Sequence, residues 1–261
     1  MHLTILGASP ATQNPGGACS SYLVRQGGTT LVLDMGSGAF ANLQRHVAPD
    51  AVDTLVISHL HADHTLDLIP YRYWLDFKPG GAARRPRLLL PPGGHEALLR
   101  ISGMQDDSPT FFSGLFDVTA YDPAQPATIG ALTITFHAMR HAPHTYGLRV
   151  VGAGTLAYSA DSGPAPVLAA VARDADLFLC ENANAEDSAY AMHLTPHQAG
   201  SYAREAGARR LVLTHRWHVF GLEEAARVAA DVFPGPVSVA REGDTYAIAA
   251  GSSSVSGTET D

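Results

Sequence analysis

Apolar residues in this chain fall into short runs separated by glycine, proline and polar residues, with helical spacing appearing only between some of them. Runs such as Thr54-Leu55-Val56-Ile57 and Leu211-Val212-Leu213 are β-branched or leucine-rich and sharply bounded, the pattern of buried strands. Strands are predicted near 2–7, 19–25, 30–34, 52–58, 86–90, 115–121, 131–139, 145–151, 154–160, 176–181, 210–214, 236–240 and 244–249. Helices are predicted near 38–47, 64–77, 93–103, 164–173, 195–207 and 221–232. Thr195-Pro196 supplies an N-cap and a first-turn proline, and Gly207 stops that helix. The early strands read as antiparallel, joined by turns such as Gly27-Gly28, whereas later segments alternate strand and helix. Two packed sheets with helices outside accommodate both halves. Residues 78–83 read as an exposed loop, and 100–114 read equally as helix or loop. No internal repeat is visible in the sequence.

Composition narrows the class. With 261 residues, 46% hydrophobic and 16% charged, the chain is globular, and a single domain over 1–250 is expected. The Ser/Thr/Gly stretch 251–261 has almost no apolar content and is expected to be disordered. No apolar run approaches the roughly 20 residues of a membrane span. The N-terminus opens directly on a strand pattern, so no secretory signal is expected. Cys19 and Cys180 both lie in apolar segments, which suits two buried free thiols and a cytoplasmic location. The net charge of −8 disfavours non-specific attraction to nucleic acid. Arg84, Arg85 and Arg87 form a local basic knot that reads first as solvated surface.

The chemistry is concentrated in His59-Leu60-His61-Ala62-Asp63-His64, directly after the apolar run at 53–58. Side chains two apart on extended backbone point the same way, so His59 and His61 can share one metal ion. After the chain turns, Asp63 and His64 can reach a second ion beside the first. Imidazole and carboxylate are the ligands zinc and its neighbours prefer. Three further residues stand one step beyond an apolar strand: His141, Asp161 and His215. Alone, each also reads as a structural hydrogen-bonder or helix cap. Their recurrence at equivalent positions ties them to the first cluster. His144, His197 and His218 are left outside this ligand set, with His218 a candidate for the pocket lining.

The order of these residues resembles the metallo-β-lactamase superfamily of hydrolases. Leu6-Gly7-Ala8-Ser9-Pro10, Leu33-Asp34-Met35-Gly36, Tyr146-Gly147-Leu148-Arg149, Tyr158-Ser159-Ala160-Asp161-Ser162, His193-Leu194-Thr195 and Leu213-Thr214-His215 are similar to its ribonuclease Z-like phosphodiesterase branch. The resemblance runs from about residue 2 to residue 249 and implies a four-layer αβ/βα sandwich with a dinuclear site at one edge of the sheets. It assigns His59, His61 and His141 to one ion, Asp63, His64 and His215 to the other, and Asp161 to both. It implies two divalent ions, zinc foremost, with manganese or iron also found in the family.

Two such ions lower the pKa of a water between them, so a bridging hydroxide is the expected nucleophile. The resemblance makes His193 the candidate proton donor to the leaving group, beside a catalytic assignment for Asp63. Glu181 is expected to orient His193 or a ligand, and Asp34 to fix the tautomer of a ligand histidine. The expected substrate is a small, anionic molecule, such as a cyclic phosphodiester, with a lactone or other carbonyl ester or amide as the alternative. Ribonuclease Z-like tRNA-processing relatives carry a long basic arm where this chain has only Val151-Gly152-Ala153-Gly154, so folded tRNA is not expected as a partner. Homodimers occur among such relatives, and the face Tyr71-Arg72-Tyr73-Trp74-Leu75 reads equally as core or interface.

Overall fold

The computed structural model describes residues 1–103, 106–186 and 191–251. The first half holds β1 (His2–Gly7), β2 (Ser21–Gln26), β3 (Thr29–Leu33), α1 (Ala39–Leu43), β4 (Thr54–Val56), α2 (Ala62–Thr65), α3 (Leu68–Phe77), β5 (Arg87–Leu90), α4 (Gly94–Ser102) and β6 (Asp117–Ala120). The second holds β7 (Ala127–Ile129), β8 (Leu132–Ala138), β9 (Tyr146–Val151), β10 (Thr155–Tyr158), α5 (Val167–Ala172), β11 (Leu177–Glu181), α6 (Pro196–Glu205), β12 (Leu211–Thr214), α7 (Leu222–Ala230), β13 (Val237–Val239) and β14 (Thr245–Ala247). Among the described residues these strands form two seven-stranded sheets, ordered β14-β1-β2-β3-β4-β5-β6 and β13-β12-β11-β10-β9-β8-β7. Each sheet begins as an antiparallel meander and continues as parallel strands linked through helices.

Alternation of side chains builds four layers. Leu31 and Leu33 of β3 face the core between the sheets, with Leu177 and Leu179 of β11 and Val212 of β12. Val32 and Leu55 point the other way, against Leu43, Tyr71 and Leu75 of the helices on that side. Phe178, Cys180, Leu211 and Leu213 pack outward against Leu168, Ala199, Ala203 and Ala225. Both faces of the central strands are therefore buried, which is why they read as continuous apolar runs rather than alternating ones. This is the expected sandwich.

Two local expectations are corrected, and a face that the sequence left open is placed. The helix foreseen over 64–77 is two helices, broken between Thr65 and Leu68. Pro70 has no N–H and its ring crowds the carbonyl of Leu66, while the Asp67 carboxylate leaves the helix to accept the Phe40 N–H at 2.8 Å. Strand β7 was not foreseen, because three edge residues show no periodicity of their own. The face around Tyr71 is core for Tyr71 and Leu75, and the Tyr71 hydroxyl donates to the Pro49 carbonyl at 2.5 Å. The Thr195 boundary holds as a full capping box with Gln198. Of the tail 251–261, only Gly251 is described, its N–H donating to Asp176 at 3.0 Å; the rest lies outside the described residues. No helix among the described residues is long and apolar enough to cross a membrane.

Candidate metal centre

Parallel strands deliver the site. Strands β3 and β4 run together and end in Asp34 and the His59–His64 segment. Strands β8, β10, β11 and β12 share one direction and end near His141, Asp161, Glu181 and His215. Three residues at these ends, Asp34, Ala160 and His215, hold φ of 58°, 48° and 56°, the left-handed region that non-glycine residues avoid. The strand ends thus bend sharply to aim their side chains at one point. Gly36 permits one close approach: a Cβ there would lie 2.1 Å from the Asp63 carbonyl oxygen.

The candidate ligands converge as two groups that share Asp161. His59, His61, His141 and Asp161 form one, and Asp63, His64, Asp161 and His215 the other. In the first, His59 Nε2 is 3.1 Å from His61 Nδ1, which is 3.3 Å from His141 Nε2. Asp161 Oδ2 lies 3.7 Å from both His59 Nε2 and His141 Nε2. In the second, Asp161 Oδ1 is 3.3 Å from His64 Nε2 and 3.5 Å from His215 Nε2, and Asp63 Oδ2 is 3.0 Å from His215 Nε2. Tetrahedral ligands at zinc bond lengths stand about 3.3 Å apart, so both groups have the edge lengths of a coordination shell. Each oxygen of Asp161 faces a different group, an arrangement open to a bridging carboxylate.

Hydrogen bonds around the groups fix which nitrogen each imidazole presents. The buried Asp34 carboxylate accepts the Ser58 N–H at 2.7 Å, and its Oδ2 accepts the Ser58 hydroxyl, His64 Nδ1–H and the Tyr158 hydroxyl, each at 2.8 Å. With its own proton given to Asp34, the Ser58 oxygen accepts from His59 Nδ1 at 3.0 Å. His141 Nδ1 donates to the Met192 carbonyl at 2.9 Å. In the neutral rings of His59, His64 and His141, the lone pair therefore lies on Nε2, facing the other ligands.

That arrangement fits a cation. His64 Nε2 and Asp161 Oδ1 are buried and without a hydrogen-bond partner, although they stand 3.3 Å apart. Burial opposes a charge on His64, yet Asp161 and Asp34 push its pKa well above the imidazole norm. Burial likewise disfavours ionised Asp161, but His215 and His64 hold its pKa well below the carboxylate range. Burial and the charge of His64 keep His59 neutral, its pKa well below normal. A divalent ion taking the place of the His64 proton would free its Nε2 lone pair and satisfy it together with the carboxylates and the other imidazoles.

His193 stands beside the two groups, its ring centroid 5.0 Å from that of His141 and 5.6 Å from that of His215. Its Nδ1 donates to Glu181 Oε1 at 3.0 Å. Glu181 is fully buried and accepts the N–H groups of Ser162 and Ala183 as well, which leaves it holding His193 rather than facing a substrate. Burial alone would lower the His193 pKa, but the hydrogen bond and charge of Glu181 raise it to about 9. His61, Asp63, Asp161, His193 and His215 line a cleft of about 510 Å³ with Trp217 and Phe220.

Other readings resolve differently. His144 and His197 are exposed, and His218 hydrogen-bonds Asn14 at 3.0 Å and lines a neighbouring cavity, not this cleft. Arg84 is exposed, as the solvated-surface reading expects, and hydrogen-bonds Asp53 and the carbonyls of Asp50 and Ala51. Cys19 and Cys180 are buried free thiols. The Tyr158 bond to Asp34 and the role of Arg216 were not anticipated. No local sequence pattern announced the second, because the burial of Arg216 emerges only in the fold.

Residues 29–216 match the β-lactamase superfamily domain. The chain belongs to that superfamily. As a member, it is 34% identical to the uncharacterized protein Rv1339 of Mycobacterium tuberculosis over 95% of this chain and 92% of the relative. It is 33% identical to the probable metallo-hydrolase YhfI of Bacillus subtilis over 93% of this chain and 98% of the relative. The crystal structure of YhfI, a metallo-β-lactamase fold protein, superposes with a TM-score of 0.84 at 27% identity, covering 94% of this chain and 98% of YhfI. Ribonuclease Z of Myxococcus xanthus is 26% identical over 94% of this chain and 97% of that protein, in a pairing that extends over 299 positions. A β-lactamase superfamily fold with these histidine and aspartate groups implies divalent metal ions.

Proposed function

We propose that this metal-dependent hydrolase is a phosphodiesterase acting on a small or cyclic phosphodiester, with two divalent ions held by His59, His61, His141 and Asp161 and by Asp63, His64, Asp161 and His215. The observation that carries this reading is the pair of ligand groups sharing Asp161 beside a cationic histidine. Five imidazoles against two carboxylates make zinc the favoured metal over manganese or iron. Two such ions supply activation of a water and neutralisation of charge on the substrate oxygens.

The chain's own residues supply the remainder. Glu181 fixes the His193 ring through Nδ1, so Nε2 is the nitrogen left for substrate. With its pKa raised to about 9, His193 carries a proton at neutral pH and delivers it to the departing alkoxide. Asp34 and Ser58 orient two ligand imidazoles before any substrate arrives. A positive histidine beside the ligand groups favours an anionic diester over a neutral lactone. The arm position supports a compact substrate: β9 and β10 are joined by a turn closed by the Gly152 N–H on the Gly154 carbonyl at 2.9 Å. Two unpaired thiols fit a cytoplasmic setting.

The test is a substrate panel. Zinc- or manganese-loaded protein and chelated protein are assayed on an aryl phosphodiester, 2′,3′- and 3′,5′-cyclic nucleotides, lactones and thioesters. Metal-dependent diester turnover is expected. Turnover of lactones or thioesters with none of diesters would replace the reading with a carbonyl hydrolase.

A further inference from the structure

We propose that Trp217 and Phe220 form a stacking wall for a planar nucleobase, held in place by the buried guanidinium of Arg216, so that the diester cleaved here is that of a nucleotide. This rests on the phosphodiesterase reading for the place of the phosphate. Strand β12 ends by giving His215 to the ligand groups, and the next residues build the far wall of the same cleft. Trp217 is half-buried and Phe220 is 37% exposed, with their rings nearly perpendicular at 86° and centroids 5.4 Å apart. Two aromatic rings at the mouth of a polar site present a π-face that water does not satisfy. Two residues of backbone separate Trp217 from His215, a reach of at most about 7 Å. The cleft thus offers an end for an anion and an end for a flat ring. A nucleotide carries both, with a sugar between them.

Arg216 explains why this wall is a built feature. It is 3% exposed, and no carboxylate among the described residues lies within ion-pair distance of it. Its guanidinium donates instead to backbone oxygens: Nη1 to Asn182 at 2.9 Å and Asn184 at 3.3 Å, Nε to Gly221 at 3.2 Å and Nη2 to Phe220 at 2.8 Å. The guanidinium also lies 5.7 Å from the Phe220 ring centroid. One planar fork therefore ties the turn that carries Trp217 and Phe220 to the loop that brings Ala183 and Asn184 to the cleft. A buried cation with no counter-ion among the described residues is expensive, and it fixes the spacing of two cleft walls here. Because every base has a π-face, this wall predicts affinity for nucleotides with little choice among bases.

The chain has two tryptophans, Trp74 and Trp217, so W74F isolates the fluorescence of Trp217. In metal-loaded W74F protein, adenosine and cytidine 5′-monophosphates are expected to quench Trp217 saturably, and ribose 5-phosphate not to. In kinetics, W217A is expected to lower kcat/KM for 3′,5′-cyclic AMP and cyclic CMP about 5- to 100-fold, the range of one lost base stack. The base-free methyl riboside 3′,5′-cyclic phosphate should change less than about 2-fold, and W217F should recover most of the loss. R216K is expected to raise KM for the nucleotides by a larger factor than KM for the base-free diester. Equal losses on both substrate types, or equal quenching by ribose 5-phosphate, would overturn the wall while leaving the phosphodiesterase reading intact. If no diester is turned over, that reading fails, and the quenching contrast still decides the wall.

Discussion

Replacing Asp34 with asparagine tests how the ligand imidazoles are held. The carboxylate is fully buried and receives four donors, three of them on Oδ2. Asparagine keeps the shape, and its Oδ1 can still serve the Ser58 N–H. Its amide then meets the Ser58 hydroxyl, Tyr158 hydroxyl and His64 Nδ1–H with no oxygen to offer. The hydroxyls can rotate, but His64 escapes only by moving its proton to Nε2, the nitrogen that faces Asp161 at 3.3 Å. A proton there blocks the metal. Loss of such an outer partner weakens metal affinity by about 10- to 100-fold, which is about 1.4–2.7 kcal/mol. The ion on the His64 side should suffer more, since His59 reaches Asp34 only through the Ser58 hydroxyl. One or two donors left unpaired would destabilise the chelated protein by about 2–5 kcal/mol, lowering Tm by roughly 5–15 °C. Chelator competition with D34N and thermal melts of chelated protein measure both quantities. Wild-type affinity at both sites with an unchanged melt would refute the argument that Asp34 sets the tautomer.

Other perturbations bear on separate parts of the account. Asp161→Ala removes one oxygen from each ligand group, so both ions and all turnover should be lost; retention of two ions by elemental analysis would contradict the shared-ligand geometry. His193→Gln should retain metal content while lowering kcat about 10²- to 10⁴-fold, most for poor leaving groups; loss of metal instead would make His193 a ligand. Because the His193 pKa is raised, its proton is fully present below the ordinary imidazole value and is lost as pH rises through about 9. Wild-type activity should therefore fall on the alkaline side, at or below about 9 since bound cations disfavour the proton. H193Q should lack that limb, and the chelated wild type should lose its stability advantage over H193Q between about pH 6.5 and 9. Gly36→Ala drives a Cβ to within 2.1 Å of the Asp63 carbonyl and should loosen both Asp63 and His64, read as weaker metal retention in dialysis.

The candidate ligand groups could be proposed from sequence because His59–His64 is one dense cluster after an apolar strand, and His141, Asp161 and His215 each follow another such strand within a few residues. Apolar runs buried on both faces announced β3, β4, β10, β11 and β12, and with them the strand ends. The legible features were all local. The break between α2 and α3 needed the competition of Pro70 and Asp67 with helix continuation, which periodicity alone does not weigh. Strand β7 exists only through its partner β8. The Asp34–Tyr158 bond spans 124 residues, and no local pattern reports it. Arg216 and Trp217 read as ordinary loop residues until the structure buries one and turns the other toward the cleft. The resemblance of residue order supplied His193, and Glu181 became its anchor only once β11 was placed beside the 193–195 segment.

The most direct test of the central claim is turnover of an aryl phosphodiester by chelated protein titrated with zinc or manganese. The account predicts no activity in the metal-free protein and a rise that reaches its plateau at two equivalents of metal per chain. A plateau at one equivalent, or no diester turnover with two ions bound, would contradict it.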